Sequence, residues 1–99
     1  MKIEERMTKL SNELMLKLID TAWKELETTE LQVVERAEVM MGTFIGAAGR
    51  IIGAYVAAFE KADEVKEKVL DICIDLLRKE TDTAMRVFTE KKGEHGEKE

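Results

Sequence analysis

The sequence predicts an all-α chain, a two- or three-helix antiparallel hairpin or bundle with a long, all-round apolar central helix that assembles into an oligomeric helical bundle. Three observations carry this expectation. Apolar residues recur every three or four positions on both sides of the centre. Proline is absent and aromatic residues make up only 5%, whereas strands favour aromatic and β-branched side chains. The centre itself, Val39 to Phe59, reads VMMGTFIGAAGRIIGAYVAAF and carries a single charge, Arg50.

The first helix is expected over residues 3–27. Ile3, Met7, Leu10, Leu14, Leu18, Ala22 and Leu26 follow one another at spacings of three and four, and Met15, Ile19 and Trp23 widen that stripe. Thr28 and Thr29 interrupt it. Thr29 with Gln32 fits a capping box, in which each side chain satisfies an orphan amide of a new helix start. With no glycine or proline at this point, one continuous helix from Ile3 to Lys61 is the alternative.

The second helix is expected over residues 30–61. Its middle is apolar on every side, which requires either protein or lipid all round it. Gly42, Gly46, Gly49 and Gly53 stand at spacings of four, three and four, and Ala57 continues the line. A glycine inside a helix costs about 0.5–1 kcal/mol relative to alanine, so four of them imply a compensating contact. Close approach of another backbone supplies it, and Gly42, Gly46, Gly49, Gly53 and Ala57 are the expected oligomer contact.

The third helix is expected over residues 63–89, with Asp63 as its N-cap and Glu64 and Glu67 in its first turn, where the helix dipole favours acids. Its apolar arc runs through Val65, Val69, Ile72, Cys73, Leu76 and Leu77 to Val87 and Phe88. Beyond lies EKKGEHGEKE, a polar tail over residues 90–99 with nothing to bury. Residues 1–89 then form a single helical domain.

Composition narrows the function classes. The formal charge is −5, and Lys and Arg are interleaved with Glu, so no clustered cations are offered to phosphates and no nucleic-acid partner is expected. Cys73 is the sole cysteine, which excludes an intramolecular disulfide, leaves no metal-ligand spacing and suits a reducing cytoplasm. The start, Met1-Lys2-Ile3-Glu4-Glu5-Arg6, lacks the basic, apolar and small-residue order of a secretory signal. Asn12 and Gln32 are the only side-chain amides while Glu and Lys abound, a bias of thermophile proteins.

Little here can carry catalysis. His95, the only histidine, lies in the polar tail between two glycines, Gly93 and Gly96, with nothing to orient it, and Ser11, the sole serine, has no histidine near it in sequence. The glycines lie in a helix-period apolar run, not between a strand and a helix, so they form no phosphate loop. Two acidic pairs, Glu35-x-x-Glu38 and Glu60-x-x-Asp63, could hold Mg²⁺ around a diphosphate. Over these four residues the chain resembles the acidic motifs of MazG-type nucleotide pyrophosphohydrolases, which implies a metal-dependent nucleotide pyrophosphohydrolase. Along one straight helix, however, Glu38 and Glu60 stand about 33 Å apart.

Arg50 needs a partner wherever it is buried, because an unpaired charge in a low-dielectric core costs several kcal/mol. In antiparallel packing Arg50 falls near the level of residues 4–8 of the first helix and about 74 of the third; Glu80 lies within the apolar arc of the third helix and Glu4 borders that of the first, which predicts a buried or intersubunit ion pair of Arg50 with Glu80 or Glu4. Trp23 and Tyr55 are read as core or interface anchors. The leading expectation is thus a non-enzymatic, cytoplasmic, self-assembling helical protein with a structural or scaffold role, without cofactor, catalytic residue or bound metal. The alternative is a small membrane protein spanning at residues 39–59, against which Arg50 and the mixed charges on both flanks weigh.

Overall fold

The computed structural model describes the backbone of residues 2–96 and the side chains of residues 2–92. The described residues are all-α: α1 spans Ile3–Glu27, α2 Val33–Ala57 and α3 Ala62–Gly96, with no strand. Two compact units divide the chain, Met1–Gly49 and Arg50–Glu99, so α2 contributes its first part to one and its last turns to the other.

In the first unit, α1 begins with Glu4 and Glu5 in its first turn and ends with Lys24 in its last, each sign placed to complement the helix dipole. Lys24 pairs with Asp20 at 3.0 Å. The Asp20 carboxylate, first through the hydrogen bond and then through its charge, holds the Lys24 ammonium above its ordinary 10.5. A raised lysine value adds stability below the unfolded value and loses it as pH climbs through the folded one. Helicity monitored by circular dichroism is therefore expected to keep this pair's contribution from pH 7 to about 10 and to lose it only above the ordinary value of 10.5.

The threonines do end α1. The Thr28 and Thr29 hydroxyls donate to the carbonyls of Glu25 and Leu26, and both backbone amides bond back into the last turn. These bonds occupy carbonyls that a continuing helix would need. A single helix from Ile3 to Lys61 is thereby excluded. The new start lies later than Thr29 predicts. Gln32 is the N-cap: its carbonyl accepts from Arg36 N–H at 2.9 Å, and the Glu35 side chain reaches back to the Gln32 amide at 2.8 Å. The reciprocal logic of a capping box is half kept, shifted three residues along, because an acid at the third helical position is the better acceptor.

Arg36 closes the turn. Its guanidinium lies 5.8 Å from the Trp23 ring centroid, and its Nε donates to the Leu31 carbonyl at 2.9 Å. Trp23, Ala22 and Leu26 on α1 and Ala37, Met40 and Phe44 on α2 are half-buried on the two sides of this turn. The remainder of α1, Ile3 to Thr21, is exposed. Replacing Arg36 by alanine removes one cation–π contact and one charged hydrogen bond, about 2–4 kcal/mol together. Amide hydrogen exchange over residues 28–36 should then quicken at least about tenfold.

In the second unit, α2 stops at Ala57, four residues before the predicted end. Ala58 and Phe59 amides turn back to Tyr55 and Val56 carbonyls at 3.3 and 3.0 Å, tightening the last turn. Phe59 then sets its ring edge-on to Tyr55, with centroids 5.2 Å apart. The next helix starts at Ala62, with Lys61 preceding it and accepting from Val65 N–H. Asp63 lies inside the first turn with Glu64, not at the cap, and still serves the dipole from there. Val56, 6% exposed, is the buried residue of the described chain. Ile52 beside it, and Ala62, Val65, Val69 and Cys73 at spacings of three and four on α3, are half-buried.

The third helix runs seven residues past Thr89, to Gly96. Glu90, Lys91 and Lys92 are strong helix formers, and adding residues to an existing helix needs no new nucleus, so burial is not required. Of the predicted tail, residues 97–99 lie outside the described residues.

Candidate functional site

The feature to be explained is bare apolar helix. The chain exposes 9073 Å² of accessible surface. Surface exposure is spread over all three helices: Ile3 and Met7 on α1, Ile45 and Ile51 on α2, and Ile72 and Phe88 on α3 are each more than 60% exposed.

On α2 the predicted contact residues lie as one line. Among the described residues, a Cβ added at Gly42, Gly46, Gly49 or Gly53 meets nothing within 4 Å. Ala57, the last residue of α2, is also exposed. Val33–Ala57 is long and apolar enough to cross a membrane by length and composition, and 6% of its most apolar window is buried within the chain. The core helix of a folded monomer would be mostly covered.

Arg50 is exposed. The ion pairs among the described residues are Lys24–Asp20 and Lys66–Glu67, and the second is an exposed contact at 3.7 Å. Arg50 and Glu80, which share the second unit, are not paired within the chain, and both Glu80 and Glu4 are exposed. The burial that was to force the pairing is absent from the single chain.

The acidic pairs fall in different local settings. Glu35 is occupied as the cap of Gln32, Glu38 is exposed on α2, Glu60 lies in the turn between α2 and α3, and Asp63 lies in the first turn of α3. Among the described residues no three His, Cys, Asp or Glu side chains converge on a point that a metal ion could occupy. Cys73 is a free, half-buried thiol on α3. The His95 side chain lies outside the described ones. Among the described residues, depressions follow the flank of a single helix, as with Arg6, Lys9, Leu10 and Glu13 on α1.

The Arg36 clasp is the structural feature that sequence spacing did not disclose. Its signal was a cation one turn into α2 facing the tryptophan one turn before the end of α1, a pairing visible only once the turn at Thr28–Gln32 is placed. Compared with protein-family models, curated proteins and solved structures, the chain matches none.

Proposed function

We propose that the chain is a non-enzymatic, self-assembling structural or scaffold protein of the cytoplasm, with α2 as its contact with further copies. The observation that carries this reading is the glycine line of α2, which faces open space in the single chain. Glycines in a helix interior are costly, and the compensating contact has to come from outside the chain. A second backbone laid along Gly42, Gly46, Gly49, Gly53 and Ala57 supplies it. In such a contact Arg50 meets Glu80 or Glu4 of a neighbouring copy.

Lipid around α2 is the competing solvent, and the length and composition of α2 admit it. Two considerations favour protein. Arg50 near the helix centre costs at least about 2.5–3.5 kcal/mol on insertion scales. The stripes of α1 and α3 are bare as well, and one spanning helix leaves them uncovered.

Expression without detergent followed by ultracentrifugation tests the reading. The protein is expected in the supernatant. Recovery in a carbonate-resistant membrane pellet would establish the spanning alternative.

A further inference from the structure

The first eighteen residues of α1 present a second unpartnered face, and this one carries a charge pattern that names its occupant. Ile3, Met7, Leu10 and Leu14 lie on one stripe at spacings of four, three and four, exposed by 71, 63, 53 and 57%. Most of an amphipathic helix's stability comes from packing its apolar face, and this face is exposed among the described residues. In heptad terms Met7 and Leu14 are a positions and Ile3 and Leu10 are d positions. Arg6 and Glu13 then occupy g, and Glu4 and Ser11 occupy e. All four flanking residues are exposed, and neither Arg6 nor Glu13 is in an ion pair of the described chain.

We propose that α1 pairs antiparallel with α1 of a second copy, in the register that sets Met7 against Leu10 and Ile3 against Leu14. The inference rests on the self-assembly reading and adds a second contact to that of α2. In an antiparallel pair each a position meets a d position, and g faces g. The register that closes the four apolar layers also brings Arg6 of each copy to Glu13 of the other, twice per contact. Glu4 falls beside the Ser11 hydroxyl of the other copy on the opposite flank. In a parallel pair g faces the following e, so Arg6 would meet Ser11 and Glu13 would meet Leu18. The apolar layers are equally good both ways, and the charges choose the antiparallel one. The paired stretch, Ile3 to Leu14, is about 18 Å long.

A charge-swap series in the full chain tests this, read as solution mass against concentration without detergent. Arg6→Glu sets two carboxylates against each other at both ends, and Glu13→Arg sets two cations there. Each is expected to move self-association to at least tenfold higher concentration, and Arg6→Glu/Glu13→Arg to restore it. Within one helix the Arg6→Glu side chain gains Lys2 and Lys9 as neighbours at helical spacing, so α1 itself keeps its helicity. Mass that falls in Gly46→Leu/Gly49→Leu but is unmoved by Arg6→Glu overturns the α1 pairing alone. Loss in both single variants without recovery in the double overturns its antiparallel register. Mass that responds to the swap but not to the glycine variant sustains the α1 pairing and overturns the role given to α2. A monomer at every concentration overturns both.

Discussion

Gly46→Leu/Gly49→Leu is expected to make α2 a better helix and the protein a worse assembler. Each replacement removes an interior glycine, which favours the helical backbone by about 0.5–1 kcal/mol. Within the chain nothing opposes it, since a Cβ at either position has no neighbour within 4 Å. The isolated chain should therefore keep or gain far-UV ellipticity. A second backbone packed on the glycine line has no room for two leucine side chains, so the contact should fail and the solution mass should drop to that of the monomer or of whatever α1 alone sustains. The bare space around the glycines makes the test clean: lost mass with retained helicity can only be an intermolecular effect. Unchanged mass would place the contact elsewhere.

Val56→Asp is the substitution expected to cost most within the chain. Val56 is 6% exposed at the end of α2, in the unit where Ile52 on α2 and Val65, Val69 and Cys73 on α3 are half-buried. A carboxylate there loses its hydration without a partner, a penalty of several kcal/mol, and so small a contact set has little else to hold it. Val56→Ala removes two methylene equivalents, about 1–2 kcal/mol. Hydrogen exchange over Ile52 to Cys73 should rise modestly in the alanine variant and approach the unprotected rate in the aspartate variant. Protection unchanged in both would mean that this turn is not where the second unit is held.

The helices were legible because helix periodicity survives in the sequence wherever one face is apolar. Leu10, Leu14 and Leu18 mark α1, and Val65, Val69 and Ile72 mark α3, before any geometry is known. The ends were less legible for definite reasons. Thr29 looked like a cap because threonine accepts amides; here its Oγ1 accepts the Leu31 amide at 3.3 Å while its hydroxyl donates to the Leu26 carbonyl behind it, and the helix start itself falls to Gln32 with Glu35. Ala58 to Lys61 contains neither glycine nor proline, so nothing in composition announces the turn that Phe59 makes against Tyr55. Residues 90–96 read as tail because they bury nothing, but Glu and Lys carry a helix on propensity alone.

The candidate surface was half legible. Four glycines at helical spacing can be seen in the sequence, and the structure adds that their face is open within the chain. The partner of Arg50 was beyond reach, since it depends on which side chains another copy brings. Arg6 and Glu13 carry no signal of their own until the stripe of α1 is put in heptad phase and found exposed.

The central claim is that α2 is covered by further copies of the chain. Light scattering in detergent-free buffer reads it most directly. The expected result is a mass at a multiple of 11.3 kDa, as a discrete oligomer or an extended assembly. A clean monomer at micromolar to millimolar concentration would contradict it.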